Sequence, residues 1–291
     1  MKEIVVISGK GGTGKTSLAA AFANLADGAV LADCDVDAAD LHLLLEPDVR
    51  QTRDFSGGKQ ARIDPAKCIR CGKCFKLCRF DAITEDDLRY TVDPIACEGC
   101  GVCTHFCPVG AIDFSEAVNG QWFISETRFG PMVHARLQPG AENSGKLVTL
   151  LRKEAQRIAV EQGRDIIIVD GSPGVGCPVI ASITGADLIV IVTEPTLSGR
   201  HDLERVAKLV AHFGVPAAVC VNKWDINPEI AEVIADSAAT LGLTWAGRIG
   251  YNPAVTNAQL QRKTAIEHGD ALLGAEVTAI WNTVSTLLNA S

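Results

Sequence analysis

Eight of the eleven cysteines lie in two blocks that have the same internal spacing, C-x2-C-x2-C-x3-C. The blocks consist of Cys68, Cys71, Cys74 and Cys78, followed by Cys97, Cys100, Cys103 and Cys107. Thiolates are soft ligands for zinc and for iron–sulfur clusters. Zinc ribbons pair one C-x2-C with a distant second C-x2-C, whereas three cysteines at x2 steps with a fourth at x3 are typical of [4Fe–4S] clusters. The spacing therefore predicts two [4Fe–4S] clusters rather than zinc.

The two blocks resemble those of bacterial two-cluster ferredoxins, in which the fourth cysteine of each block ligates the other cluster. The resemblance implies one cluster on Cys68, Cys71, Cys74 and Cys107, and a second on Cys97, Cys100, Cys103 and Cys78. Two ferredoxin halves folded face to face also explain why Ala-Ile follows each block at the same distance. Arg79 stands where the second block has Pro108, so we expect a different local geometry around Cys78.

Charge is distributed unequally over the two blocks. The first contains the cations Lys67, Arg70, Lys73, Lys76 and Arg79. The second has Glu98 and no lysine or arginine between its cysteines. Positive charge favours the reduced cluster, so we predict a higher potential for the cluster bound by Cys68, Cys71 and Cys74. The same cations either dock an acidic redox protein or form an ordinary solvated face.

A second chemical motif lies at the start of the chain. Gly9–Thr16 reads GKGGTGKT and matches G-x-x-x-x-G-K-[ST] between a predicted strand and a predicted helix. Backbone N–H groups of such a loop surround the β-phosphate. We expect Lys15 to contact the β- and γ-phosphates and Thr16 to ligate Mg²⁺. The predicted nucleotide-binding residues are Gly9, Lys10, Gly11, Gly12, Thr13, Gly14, Lys15, Thr16, Ser17 and Asn222.

Carboxylates follow two predicted buried strands. Asp170 ends the apolar run Ile166–Val169 and is expected to hold Mg²⁺ through water. Asp33 and Asp35 follow the predicted strand at residues 30–32. Asp35 is the candidate to orient or deprotonate the attacking water, and Asp33 is a candidate for the metal shell. The nearby Asp37 and Asp40 are expected to cap the next turn.

The additional lysine of the loop, Lys10, resembles that of the deviant Walker A ATPases. This family includes septum-site and plasmid-partition ATPases, nitrogenase iron protein and Mrp-type iron–sulfur carriers. The resemblance implies a nucleotide-dependent dimer in which Lys10 contacts the partner's nucleotide and spreads transition-state charge. The alternative is a solvated lysine at a loop tip. Asn222 resembles the family's adenine-contacting asparagine, but Asn222–Asp225 also fits the guanine-binding N-K-x-D motif. The resemblance favours ATP, and GTP stays open.

The elements that position these residues follow an α/β pattern. Apolar strands without polar alternation are predicted at 4–7, 30–32, 166–169, 188–192, 217–221 and 243–249. Helices are predicted at 17–26, 146–162, 203–213, 229–241 and 270–288. This alternation predicts an α/β P-loop fold with a mainly parallel sheet covered by helices on both faces. The ATPase domain is expected at 1–56 and 116–291, and a small α+β ferredoxin-like insert at 57–115.

Composition limits the possible functions. The chain has 291 residues, is 47% hydrophobic and 21% charged, and carries a net charge of −8, which argues against nucleic acid as main partner. Cysteine-rich blocks of this kind favour a reducing, cytoplasmic compartment. No targeting segment and no bilayer-spanning run are expected, and the final helix lacks the lysine and arginine of a membrane anchor.

Over its whole length the chain resembles MinD-superfamily ATPases that carry an inserted two-cluster ferredoxin domain, including the ATPase subunits of the orange-protein complex. The segments that carry this resemblance include DCDVDAADLHLLL, residues 130–148 and residues 170–187. Residues 131–146 are interpreted as a link between insert and nucleotide switch, or as a strand and a helix capped by Asn143 or Ser144. Cys177 lies where nitrogenase iron protein has a cluster ligand, although a buried thiol at a helix start is the commoner situation. Cys34 and Cys220 are expected in the core.

These features predict a Mg²⁺-dependent ATPase whose dimerisation is coupled to electron transfer through two [4Fe–4S] clusters. The expected partners are a second copy or a paralogue, and a redox protein. The main alternative is an iron–sulfur or metal-cofactor assembly or carrier ATPase. A spatial regulator with sensory clusters is a third hypothesis. Amidoligase chemistry is the least favoured, because no glutaminase-like Cys-His context is found.

Overall fold

The structure is a computed structural model that describes residues 1–86, 89–138 and 144–290. The strands of the described chain are β1 (Lys2–Ser8), β2 (Val30–Asp33), β3 (Asp48–Phe55), β4 (Gly58–Ile63), β5 (Ile83–Glu85), β6 (Tyr90–Val92), β7 (Ile112–Ala117), β8 (Gly120–Thr127), β9 (Gly130–Leu137), β10 (Ile166–Pro173), β11 (Leu188–Thr193), β12 (Ala217–Asn222) and β13 (Thr244–Ile249). Its helices are α1 (Lys15–Leu25), α2 (Leu41–Leu45), α3 (Lys73–Leu77), α4 (Val102–His105), α5 (Ser144–Gln162), α6 (Cys177–Ile183), α7 (Leu197–Phe213), α8 (Pro228–Ala238), α9 (Ala254–Leu260), α10 (Ala265–His268) and α11 (Ala271–Ala290).

The chain divides into two compact units. The first, the P-loop unit, comprises Met1–Thr52, Trp122–Ala135 and Gly145–Ser291. The second, the cysteine unit, comprises Arg53–Gln121 and Arg136–Ser144. The insert predicted at 57–115 lies within the cysteine unit.

The large sheet has the strand order β13-β12-β11-β1-β10-β2-β9-β8-β3. All pairs from β13 to β9 are parallel. The central strands β1, β10 and β11 are almost wholly buried, because a parallel sheet is covered on both faces and needs apolar residues at every position. The predicted fold class, an α/β P-loop fold with a mainly parallel sheet and a separate ferredoxin-like part, is confirmed.

Two strands of this sheet, β3 and β8, were not predicted, whereas β9 corresponds to the strand that was one of the two interpretations of residues 131–146. β3 consists of exposed residues up to Phe55 and lacks the apolar alternation that marks a half-buried strand, since it forms the edge of the sheet. β9 pairs with β2 through Leu31–Met132 and Ala32–Val133. Residues 131–146 thus begin as a strand, and α5 starts at Ser144. Asn143, one of the two proposed caps of this helix, lies outside the described residues.

Helix α11 belongs to the core of the P-loop unit. Its Val277, Ile280 and Val284 are buried, and the Trp281 ring lies 5.1 Å from that of Phe22. By length and composition α11 is nevertheless apolar enough to cross a bilayer, with a mean hydropathy of 1.2. The expectation that no apolar run is long enough to span a bilayer was therefore wrong by length and composition. The reason is that α11 has apolar residues, such as the exposed Leu272, in addition to those that pack on the core.

The cysteine unit shows the predicted internal repeat in its hydrogen bonds. β4 pairs with β7, and β5 pairs with β6, both antiparallel. Asp64 Oδ1 accepts the N–H of Ala66 at 2.9 Å, and Asp93 Oδ1 accepts that of Ile95 at 2.8 Å. The carbonyls of the same two aspartates accept the N–H groups of Cys68 and Cys97 at 3.0 and 3.1 Å. Each cysteine block therefore begins at an equivalent aspartate turn.

A buried ion pair connects β1 to α5 and gives a stability prediction. Arg152 contacts both oxygens of Glu3 at 2.6 and 2.9 Å and donates to the carbonyls of Ala181 and Thr184 at 2.7 Å each. We expect Arg152→Ala to lower the free energy of unfolding by about 3–5 kcal/mol, because it leaves the Glu3 carboxylate buried and unpaired. Urea unfolding followed by circular dichroism measures this loss.

The matched control lies on the same helix. Arg157 contacts Glu154 and Glu161 at the surface with 43% of its side chain exposed, so Arg157→Ala should cost only about 0–1 kcal/mol. Equal losses for the two variants would show that the buried pair has no special role.

Candidate functional site

The phosphate-binding loop joins β1 to α1 and is held by long-range hydrogen bonds from the end of β12 and the residue after it. Asn222, at the end of β12, donates from Nδ2 to the Thr13 carbonyl at 2.8 Å. Gly14 has a φ of 90°, and a Cβ placed there would lie 2.3 Å from that Nδ2. Only glycine therefore fits this position, and the loop is held against the end of β12.

Lys15 lies among carboxylates at the start of α1. Its Nζ is 2.6 Å from Asp170 Oδ1, 3.2 Å from Asp35 Oδ2 and 3.3 Å from the Thr16 hydroxyl. Burial by itself lowers the pKa of Lys15, but the charges of Asp170 and Asp35 outweigh it, so this pKa lies above its usual value. The structure thus brings three predicted site residues around the ammonium group of a fourth, Lys15.

Asp33 organises the segment that contains Asp35. Its two side-chain oxygens accept the backbone N–H groups of Asp35 at 3.3 Å and Leu41 at 3.2 Å. Burial, then repulsion from Asp170, raises the pKa of Asp33 well above its usual value. Asp40 occupies the N-cap of α2 without a side-chain capping bond, so its predicted capping role was wrong; Asp33 satisfies the first N–H of that helix instead.

Asp35 faces the same site with a different balance of charges. Burial raises its pKa, and Lys15 opposes that rise without cancelling it. A carboxylate with a raised pKa is a better proton acceptor than an ordinary aspartate. The raised pKa of Asp35 and its contact with Lys15 suit a group that could orient an attacking water.

The carboxylate of Asp170 fits a magnesium site. The residue is fully buried, and its Oδ2 has no hydrogen-bond partner among the described residues. Mg²⁺ binds oxygen ligands and keeps several of its water molecules, and a free carboxylate oxygen can accept hydrogen bonds from these waters. Thr16, the second residue predicted to bind Mg²⁺, has its hydroxyl 3.3 Å from Lys15 Nζ.

Lys10 is engaged by a carboxylate that sequence reasoning did not single out. Its Nζ lies 3.1 Å from Glu194 Oε2 and 3.5 Å from the Ser198 hydroxyl. The other oxygen of Glu194 is 2.6 Å from Lys223 Nζ, which also donates to the Gly12 carbonyl at 3.2 Å. Burial would raise the pKa of Glu194, but the two lysines lower it overall. Lys10 is therefore ion-paired within its own chain.

A cavity of about 280 Å³ lies beside the loop. Its lining includes Gly12, Gly14, Ser17, Asn222, Tyr251 and Gln259. Gln259 donates to the Ser17 hydroxyl at 2.9 Å, and Asp225 Oδ1 accepts the Tyr251 N–H at 2.6 Å. The aspartate of the N-K-x-D string, Asp225, thus binds the backbone of Tyr251 in the cavity wall.

Two cavities of the cysteine unit are each lined by four thiols. Cys78, Cys97, Cys100 and Cys103 line one of them. Cys68, Cys71, Cys74 and Cys107 line the other. In the described chain no three His, Cys, Asp or Glu residues are placed to hold a metal ion directly. The four thiols around each cavity are the donor set of a [4Fe–4S] cluster, so the residues present fit two such groups.

The surroundings of the two cavities differ. Cys107 Sγ accepts the Ala111 N–H at 3.3 Å, and Tyr90, whose hydroxyl donates to Glu85, lines the same cavity. The hydrogen bond from Tyr90 to Glu85 raises the pKa of Tyr90 to about 12. Phe114 lines the other cavity. Hydrogen bonds to cluster sulfurs and nearby polar groups tune reduction potentials, so the two sites are not equivalent.

The three remaining cysteines divide into two types. Cys34 and Cys220 are fully buried, as expected from their apolar strands, and burial raises both pKa values, that of Cys220 to about 12. Cys177 is exposed at the first residue of α6, so the interpretation as a buried thiol was wrong. An N-terminal helix position leaves its side chain outside the core that Val179 and Ile183 enter.

His134 is a residue whose contacts sequence reasoning did not predict. It is buried on β9, its Nε2 is 2.9 Å from the Ser125 hydroxyl, and its ring lies 5.0 Å from Phe123 and 6.3 Å from His42. His42 belongs to α2, directly after the Asp33–Asp40 segment. The contact connects β9 to the helix that follows the candidate nucleotide switch.

Comparisons with known proteins agree with both units. Residues 61–114 match the family model described as a 4Fe-4S dicluster domain. The uncharacterised protein MJ0578 of Methanocaldococcus jannaschii is 34% identical over 228 residues, which cover 77% of this chain and 79% of that protein. A second uncharacterised protein of this organism, MJ0579, is 27% identical over 287 residues, 97% of either chain.

Among solved structures, the chain is similar to the septum site-determining protein MinD of Pyrococcus horikoshii, determined as a complex with Mg-ADP. The TM-score is 0.61 at 15% identity, over 99% of this chain and 98% of that one. At this identity the similarity establishes the fold.

Proposed function

We infer the function from one premise: this chain belongs to the same family as the uncharacterised protein MJ0578, and it joins a MinD-like P-loop fold to a 4Fe–4S dicluster domain. We propose that it binds and hydrolyses Mg-ATP and couples this reaction to electron transfer through two [4Fe–4S] clusters. The coarse assignment, nucleotide binding with iron–sulfur electron transfer, rests on the two domains. The coupling is the finer part of the proposal.

The hydrogen bonding of Asp225 favours ATP over GTP. A guanine-reading aspartate must accept hydrogen bonds from the base, whereas Asp225 Oδ1 already accepts the Tyr251 N–H at 2.6 Å. Asn222 is likewise bonded to the loop carbonyl of Thr13. The similar MinD structure holds an adenine nucleotide. We therefore assign the cavity beside the loop to adenine and ribose.

In the proposed reaction, water attacks the γ-phosphate and ADP leaves. Asp35 orients this water and accepts its proton. Lys15 leaves its contacts with Asp170 and Asp35 and neutralises the phosphate oxygens. Mg²⁺, held by Thr16 and through water by Asp170, would neutralise the developing charge. Lys10 of a second chain completes the site.

The eight block cysteines would hold the clusters, which supply one-electron chemistry when bound. ATP-dependent association with a second copy or a paralogue would control the access of a redox protein to them. That M. jannaschii has two relatives of this chain, MJ0578 and MJ0579, is consistent with a paralogue as the partner. We propose a cytoplasmic location without membrane insertion or nucleic-acid binding.

The observation that carries this proposal is the presence in one chain of a complete phosphate loop and two sets of four thiols. We expect the ATPase rate of anaerobically purified protein to differ by about 5- to 150-fold between oxidised and dithionite-reduced clusters, the usual range of coupling between two sites. A matched measurement on protein whose iron has been removed by chelation should lose this redox dependence. Equal rates in the two redox states would contradict the coupling.

A second function, cluster delivery, is favoured by the exposure of one ligand in each set, Cys71 and Cys100. A carrier should transfer its iron to an apo-ferredoxin in an ATP-dependent manner and become colourless. An electron-transfer ATPase should keep its iron through repeated reduction and reoxidation. Iron analysis after gel filtration separates the two functions.

A further inference from the structure

The cations of the first cysteine block follow a strict period. Lys67, Arg70, Lys73, Lys76 and Arg79 recur at every third residue, with no acidic residue between them. The first three immediately precede Cys68, Cys71 and Cys74. The equivalent positions of the second block carry Ala96, Gly99, Val102, His105 and Pro108. The two halves of the repeat thus share their ligands and differ in charge.

All five cations of this set, which we call the cationic rim, are exposed. Lys67 lies 3.4 Å from Asp64, at the surface. Within the described part of the chain, Arg70, Lys73, Lys76 and Arg79 form no salt bridge. Arg70 has a φ of 54°, a conformation in which Gly99 stands at the equivalent position of the second block. A cation is present here although glycine suits the backbone better.

The cationic rim stands out against the rest of the molecule. The chain as a whole has a net charge of −8, so a run of five cations, four of which form no salt bridge within the described residues, produces a local field of the opposite sign. Apolar side chains accompany it, since Ile69, Phe75 and Phe80 are 61, 42 and 45% exposed. The second block also exposes apolar residues, such as Phe106 at 53%, so charge and not hydrophobicity distinguishes the two faces.

We propose that the cationic rim is the docking surface for an acidic electron-transfer protein. One electron then passes between this partner and the cluster held by Cys68, Cys71, Cys74 and Cys107, and no bond forms or breaks. Opposite charge increases the rate of encounter and orients the partner, while a small apolar contact lets the complex dissociate after transfer. The proposal rests on the proposed function because it requires the clusters.

Small redox probes of opposite charge test the field directly. Reduced protein, freed of dithionite, is oxidised with anionic Fe(III)-EDTA or with cationic hexaamminecobalt(III) at low and high salt. We expect the anionic probe to be favoured at low salt and Lys73→Glu/Lys76→Glu to lower the ratio of the two rates by about 10- to 100-fold. Arg62→Glu/Arg89→Glu, the charge-matched control in the cysteine unit, should change the ratio less than about 3-fold.

A protein probe tests the docking itself. The rate of electron exchange with an acidic plant-type [2Fe–2S] ferredoxin should fall by about 10-fold or more in Lys73→Glu/Lys76→Glu, and should decrease with salt only in the wild type and the control. Equal rates in the two variants would overturn the proposal. So would co-sedimentation of the wild type, but not of Lys73→Glu/Lys76→Glu, with anionic phospholipid vesicles.

Iron content and the EPR amplitude of the reduced clusters are measured on the same samples. Loss of both in the wild type would show that the proposed function is wrong, and the docking proposal with it. Full clusters with no charge preference would overturn the docking surface alone.

Discussion

Replacing Lys10 with alanine is expected to lower kcat for ATP hydrolysis by about 10³-fold, the lower end of the effect of a charge supplied by a partner. In the single chain Lys10 Nζ lies on Glu194 at 3.1 Å, whereas Lys15 occupies the carboxylate site. Lys10 is therefore available to a second chain without disturbing the loop of its own. A steady-state phosphate-release assay at saturating Mg-ATP measures the loss.

Lys223→Ala is the matched control for this prediction. Lys223 binds the same carboxylate, Glu194, at 2.6 Å and the same loop at Gly12. Its removal takes one positive charge away from Glu194, as the removal of Lys10 does, but takes no charge from the nucleotide site of the partner. We expect less than about a 10-fold change, as for a half-exposed ion pair. Equal losses in both variants would indicate a structural role for Lys10.

Mixed dimers determine whether Lys10 acts on its own chain or on its partner. A dimer of one Lys10→Ala chain and one Lys15→Ala chain has one site with both lysines only if Lys10 acts across the interface. Equal mixing of the two inactive variants should then restore about a quarter of the wild-type rate, because half of the dimers are mixed and half of their sites are intact. No recovery would mean that both lysines act within one chain.

The second large effect concerns the ligand sets of the clusters. Cys78→Ser/Cys97→Ser should keep about half of the iron, whereas Cys78→Ser/Cys68→Ser should lose nearly all of it. The reason is that Cys78, although part of the first block, lines the cavity of Cys97, Cys100 and Cys103. The first pair of substitutions damages one cluster and the second pair damages both. Iron and sulfide analysis of anaerobic preparations measures the difference.

Ligation without this exchange predicts the opposite order for the two double variants. Cys177→Ser serves as the control, since Cys177 is exposed on α6 in the P-loop unit. Its iron content should equal that of the wild type. A loss of iron in Cys177→Ser would instead support a further cluster shared between two chains.

The sequence was most informative where structure depends on local pattern. The buried strands β1, β10 and β11 are apolar at nearly every position, and their ends were predicted to within four residues. The glycines of the phosphate loop and the spacing of the cysteines are equally local signals. Each of them determines backbone geometry or ligand placement within a few residues.

The missed features depend on contacts between distant parts of the chain. Glu194 pairs with Lys10 and Lys223, and His134 stacks on His42, although no spacing in the sequence marks these pairs. Edge strand β3 is exposed and charged, so it lacks the pattern by which strands are recognised. The apparent guanine motif was ambiguous for the same reason, because only the fold shows that Asp225 is bonded to Tyr251.

The division of Glu194 between two lysines has a consequence for turnover. When Lys10 departs, Glu194 keeps Lys223 at 2.6 Å, so no carboxylate is stranded in a half-buried position. Detachment of Lys10 then costs only about 0–1 kcal/mol, as for other partly exposed pairs. In the proposed mechanism, Lys10 could therefore leave Glu194 and return to it in every catalytic round without destabilising the fold.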